Sequence, residues 1–171
     1  DLLLEAYRIV KAAMPETTLL IVGGGEEIHT LQRQANHLGI SDSTIFCGYV
    51  PSAEIPLYYR LANVIIDPVH DDSSARGRLP LKMFESWIAG TPFITSAVGD
   101  RQLLLGDPPA GLLVQPGDSV RLADGILRII QDDAYANLLS ERGRQRVKAY
   151  EWNKLAEMME TVYQQACGSV K

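Results

Sequence analysis

A helix start that combines free backbone N–H groups, a lysine and a glutamate can bind an anion and a sugar together, and one block of this chain has that pattern: Arg78-Leu-Pro-Leu-Lys-Met-Phe-Glu-Ser-Trp-Ile-Ala-Gly-Thr-Pro92. Pro80 suits the first turn of a helix, where its missing N–H costs nothing, and Gly90 supplies the stop. The free N–H groups of Leu81 and Lys82 then face an anion with the positive end of the helix dipole behind them. Lys82 adds a full positive charge. Glu85 follows one turn later on the same side as Leu81 and Lys82. A carboxylate there can accept two hydrogen bonds from a ribose diol while the first turn holds phosphate. The same spacing also fits a plain Lys82–Glu85 surface pair, worth about a few tenths of a kcal/mol. Leu81, Phe84 and Ile88 are expected to carry the core face of this helix.

Other candidates surround it. Gly23-Gly24-Gly25 follows a strand pattern, and glycines at that place let backbone approach a phosphate or sugar closely. The dinucleotide fingerprint would need a further glycine at position 28, where Ile28 stands. Glu26 and Glu27 would also repel a pyrophosphate, so NAD binding is rejected and a tight strand-to-helix turn remains the plainer reading. Arg76, Arg78, Lys82 and Arg101 fall on neighbouring loops of an otherwise acidic chain, a local reversal of sign that suits a phosphorylated ligand. His70-Asp71-Asp72 reads as a solvated loop, because three adjacent residues rarely converge on one ion. No metal site is expected. His29 and His37 read as surface residues.

The elements that must hold these residues alternate from end to end. Asp1 to Ala13 has a helical period. Strands are expected at Thr18 to Val22, Thr44 to Gly48, Asn63 to Val69, Phe93 to Ala97 and Gly111 to Gln115. Helices are expected at Glu27 to Leu38, Ser52 (as cap) to Leu61, Pro80 to Ala89, from Asp118 or Ser119 onward, Asp133 to Tyr150 and Trp152 to Ala166. Strands separated by helical stretches of this length predict an α/β fold, a Rossmann-like parallel sheet with helices on both faces. Ligands of such sheets bind beyond the carboxyl ends of the strands. Those ends are Gly23–Gly25, Gly48–Val50, His70–Arg78 and Ala97–Arg101. Because the sequence opens inside a helix pattern, the strand that should feed that helix is expected upstream of Asp1.

Composition narrows the partners. Of 171 residues, 46% are hydrophobic and 22% charged, ordinary values for a soluble globular chain. A net charge of −5 argues against nucleic-acid binding through overall basicity. Cys47 and Cys167 match no metal or redox spacing and read as free thiols of a reducing, cytoplasmic compartment. No apolar run approaches a membrane span.

The chain resembles the C-terminal, donor-binding domain of the group 1 (family 4) retaining glycosyltransferases with the GT-B fold. The blocks that carry the likeness are LLLEAYRIVKAAMPETTLLIVGGGEE, IFCGYVPSAEIPLYYRLANVIIDP, PLKMFESWIAGTPFITSAVGD, AGLLVQPGDSVRLADGILRIIQD and YEWNKLAEMMETVY, in that order. The resemblance implies one nucleotide-sugar-binding domain over residues 1–171, with the acceptor domain lying N-terminal to it. It implies a UDP- or GDP-sugar as donor, no cofactor, and a glycan or lipid-linked acceptor for cell-surface polysaccharide, lipopolysaccharide or glycolipid synthesis. That work would be done in the cytoplasm, with peripheral association at the inner face of the membrane.

By the same resemblance Glu85 holds the ribose, the amides at Leu81 and Lys82 hold the diphosphate, and Lys82 stabilises leaving-group charge. The backbone near Tyr49 and Val50 borders the base, and Gly24 lies close to the donor. The family's signature is two glutamates separated by seven residues. Its second matches Glu85, but Gly77 stands where the first belongs, at the position that contacts the donor sugar. A non-catalytic nucleotide-sugar-binding subunit and a nucleotide-sugar 2-epimerase are the alternative readings.

Overall fold

Helical and strand periods alternate along the chain, and the computed structural model, which describes residues 1–168, lays them out as a layered α/β structure. The first half comprises α1 (Leu2–Ala13), β1 (Leu19–Val22), α2 (Ile28–His37), β2 (Thr44–Gly48), α3 (Ile55–Leu61) and β3 (Ile65–Asp67). The second comprises α4 (Ser73–Gly77), α5 (Leu81–Ala89), β4 (Phe93–Ser96), α6 (Arg101–Leu105), β5 (Leu112–Val114), α7 (Ser119–Gln131), α8 (Asp133–Val147) and α9 (Trp152–Gly168). No described helix is long and apolar enough to cross a membrane.

All strand pairs are parallel, as the alternation predicts. They form two ladders, β1 with β2 and β3–β4–β5, rather than one uninterrupted sheet. Side chains alternate across a strand, and β4 uses both faces. Phe93 packs with Met83 and Trp87 of α5 and with Leu105, whereas Ile94 packs with Leu4 and Val10 of α1 and Leu122 and Ile126 of α7. Helices therefore cover both sides of β4, which is buried at all four positions.

Three local expectations change. Ser52 does not cap α3, which begins at Ile55 behind Glu54; Pro56 lies in its first turn, and Ser52–Glu54 form a turn closed by the Glu54 N–H on the Pro51 carbonyl. The polar stretch from His70 to Arg78 holds α4, because the Asp72 carboxylate accepts from the Ala75 N–H at 2.7 Å and caps it. The core face of α5 is Met83, Ser86 and Trp87, while Leu81 and Ile88 are exposed and Phe84 is half-buried. Apolar residues occur on most sides of α5, so its period alone did not fix its orientation. The deciding contact is Trp87, whose indole N–H donates to the Ala110 carbonyl at 2.7 Å.

Candidate functional site

Helix α5 starts just beyond the carboxyl end of β3. Its cap residue is Pro80, extended at φ −78 and ψ 91, one position earlier than a first-turn proline. The Pro80 carbonyl accepts from the Met83 N–H at 3.0 Å. The Leu81 and Lys82 amides precede any residue with an acceptor inside the helix. Lys82 and Glu85 do not pair with each other. The Lys82 ammonium donates to Asp67 Oδ1 at 3.1 Å, and Glu85 Oε2 accepts from the Tyr59 hydroxyl at 2.6 Å.

Asp67, the last residue of β3, is the hub of the charges. Its side chain is only 4% exposed, yet it meets Arg78 at 3.1 Å, Lys82 at 3.1 Å and Arg101 at 3.4 Å. One carboxylate facing three cations leaves two positive charges in excess, a setting that favours an anion. Arg101 serves the fold here rather than a mobile ligand loop. It is 1% exposed and also donates to Thr95 Oγ1 and to the Ala75 and Val98 carbonyls. Arg78 and Lys82, about half exposed, are the two that can reach a ligand. Arg76 leaves the group altogether and forks onto Asp71 at 2.6 and 2.9 Å.

The Glu85 carboxylate is fixed from α3. Tyr59 is buried, and burial above all, then its bond to the negatively charged Glu85, holds its phenol well above the ordinary tyrosine value. Tyr59 is therefore the donor and Glu85 the acceptor. The Tyr59 carbonyl accepts from Thr91 Oγ1 at 2.6 Å, and the Thr91 carbonyl accepts from Ser86 Oγ at 2.6 Å. These bonds close a ring through α3, the end of α5 and Glu85 itself.

A second group of loops lies at the ends of β1 and β2. The Gly23 N–H donates to the Gly48 carbonyl at 2.9 Å, which sets the Gly24 turn beside Tyr49 and Val50. Gly23 and Gly25 have φ of 128 and 154, which side chains rarely adopt, so the turn itself demands glycine. Tyr49 is 86% exposed. Gly77 ends α4, is exposed, and has nothing within 4 Å of where a Cβ would stand. His70, Asp71 and Asp72 turn to separate partners, Asp1, Arg76 and the α4 cap. Cys47 and Cys167 are both free.

Asp67 and Tyr59 are functional candidates that residue types and spacing alone do not single out. Asp67 was visible as the charged end of an apolar strand run, at an edge where ligands bind; Tyr59 carried no signal, because its partner is 26 residues away.

A sequence model of the family described as glycosyl transferases group 1 matches residues 1–146. The chain is 25% identical over 166 residues to the GDP-mannose-dependent alpha-(1-6)-phosphatidylinositol monomannoside mannosyltransferase of Mycolicibacterium smegmatis, covering 93% of this chain and 44% of that protein. Among solved structures it is similar to a sucrose-phosphate synthase from Thermosynechococcus elongatus, with a TM-score of 0.81 and 31% identity over 98% of this chain and 43% of that one. HepE of Anabaena, solved with UDP and glucose, superposes with a TM-score of 0.79 at 19% identity, covering 95% of this chain and 44% of its own. The chain thus spans less than half the length of these relatives.

Proposed function

The chain belongs to the group 1 glycosyl transferases, and from that membership we propose that it holds the nucleoside-diphosphate part of a sugar donor at the start of α5. The observation that carries this reading is the pairing of an anion-attracting helix start, flanked by Lys82 and Arg78, with a fixed carboxylate one turn further on. Tyr59 occupies one oxygen of Glu85. The other is left to accept from ribose hydroxyls. The amides of Leu81 and Lys82 with the Lys82 ammonium take the diphosphate, and Tyr49, Val50 and Gly24 border the nucleoside.

In the transfer reaction, charge builds on the diphosphate as the sugar–phosphate bond breaks. Donors fixed before the reaction stabilise that charge without reorganising. Lys82 is held by Asp67 and the helix amides by the backbone, so both are in place beforehand. No metal is needed for this role. The donor is a UDP- or GDP-sugar, transferred with retention to a glycan or lipid-linked acceptor. The acceptor wall belongs to a further domain of the full-length protein, working in the cytoplasm or at the inner membrane face. Gly77 favours one second reading, a subunit that binds the nucleotide sugar without transferring it.

Glu85→Ala tests the site. UDP or GDP affinity of the full-length protein should fall by about tenfold or more, because hydrogen bonds to a charged group contribute roughly 1.5–3 kcal/mol. The melting temperature should fall by only a few degrees, since Glu85 is exposed and the loss at Tyr59 is one hydrogen bond. Calorimetry that finds parental affinity removes Glu85 from the site.

A further inference from the structure

We propose that Tyr59 is a positioning residue for nucleoside recognition: its hydroxyl fixes one oxygen of Glu85 so that the other meets the ribose diol, and it thereby sets a preference for ribonucleotides over 2′-deoxyribonucleotides. This deepens the donor-binding reading and rests on it. Glu85 is exposed on the first turns of α5, where a free glutamate side chain would wander among rotamers. Instead it is held at 2.6 Å by a buried tyrosine. That tyrosine is held in turn at its own backbone, through Thr91, and Thr91 is held through Ser86, the residue next to Glu85. The two bonds through Thr91 are buried, so the backbone that carries Tyr59 is tied to α5 beside Glu85.

An ionised carboxylate only accepts, and it has room for several donors on its two oxygens. Tyr59 takes one place and leaves Oε1 with its lone pairs outward. A 2′,3′-diol offers O–H donors that match them, and a 2′-deoxyribose offers one fewer. A site preorganised for a hydroxyl rejects the analogue that lacks it, because its acceptor is then left unpaired. Without the Tyr59 hydroxyl the carboxylate remains but its aim is lost. The cations that would take the diphosphate, Lys82 and Arg78, are held by Asp67 and make no hydrogen bond to Tyr59.

The test is calorimetry on the full-length protein with UDP, GDP, dUDP, dGDP and pyrophosphate. For whichever base binds, the parent should prefer the ribonucleotide by about tenfold or more, the worth of a hydrogen bond to a charged group. Tyr59→Phe should lower that preference by roughly three- to tenfold, the worth of one ordinary hydrogen bond, while pyrophosphate affinity stays within about twofold. Glu85→Ala should abolish the preference. If Tyr59→Phe keeps the parental preference while Glu85→Ala loses it, Tyr59 has no positioning role and the donor reading stands. If Glu85→Ala keeps the preference, the ribose assignment fails and this proposal fails with it. Uniform weakening of all five ligands by Tyr59→Phe marks a packing role and also overturns the proposal.

Discussion

Asp67 and Lys82 lie 3.1 Å apart, but the loss of each should be read in a different experiment. Asp67 is nearly buried and is the charged partner of the fully buried Arg101. Breaking a buried pair on one side costs about 3–5 kcal/mol when the other charge is stranded. Here Arg101 keeps Thr95 and two carbonyls, so Asp67→Asn should cost less, about 1–3 kcal/mol. Lys82 is about half exposed, and its pair contributes no more than about 1 kcal/mol to the fold. Lys82→Met should therefore leave the denaturant midpoint near the parental value while weakening nucleoside diphosphate binding and flattening its salt dependence. Equal stability losses in the two variants would contradict this division of roles. Residue types made Lys82 and Glu85 candidates, because their spacing at a helix start fits an anion and a ribose, although it fits a plain surface pair equally well. Asp67 showed only as the charged end of an apolar strand run, and Tyr59 not at all, because its contact with Glu85 joins elements far apart in sequence.

At the scale of elements, strand and helix positions were legible to within a few residues because the apolar periods and stop signals agree. Orientation was less so. Helix α5 carries Leu81, Met83, Phe84, Trp87 and Ile88, and only packing decides which of them turn inward. The packing partner is α8, where Gly143 lets the Trp87 ring lie against the helix backbone; a Cβ at 143 would collide with the ring. The site at the start of α5 depends on that seat, since Trp87 sits two residues beyond Glu85. Gly143→Ala gains about 1 kcal/mol of helix propensity but overpacks a rigid buried ring, which costs roughly 1–3 kcal/mol and forces α5 to shift. A net loss of stability, seen as a melting temperature lowered by several degrees, is the expected outcome. A stabilised Gly143→Ala protein would show that α5 and α8 are less tightly seated than the contact implies. The short helices α4 and α6 leave no periodic signal in the sequence because each has only five residues, too few to establish a period.

For the molecule as a whole, the parallel α/β class followed from the alternation of elements, but the break between the β1–β2 and β3–β4–β5 ladders did not, because strand pairing is a property of tertiary contact. The proposed site is also one-sided. Leu81 is 66% exposed, Lys82 and Arg78 are about half exposed, and Glu85 is open to solvent. Such a surface can bind a nucleoside diphosphate, but it neither excludes water nor holds an acceptor against the donor sugar. Holding both reactants in reacting geometry contributes roughly 7–11 kcal/mol to catalysis, and an opposing wall must supply much of it. Residues 1–171 alone should therefore bind UDP or GDP weakly, with a dissociation constant of about 100 μM or higher, about −5.5 kcal/mol or less favourable. They should transfer no sugar. If the proposed site is right, the full-length protein should transfer sugar from a nucleotide donor, and should do so in EDTA, because Lys82 and the α5 amides would then carry the leaving-group charge. Turnover by residues 1–171 at ordinary enzymatic rates would place the whole reaction on this surface. A full-length protein that binds donor but never transfers would favour the binding-only reading that Gly77 raises, and activity lost in EDTA but restored by Mn²⁺ would assign the leaving-group charge to a metal instead of Lys82.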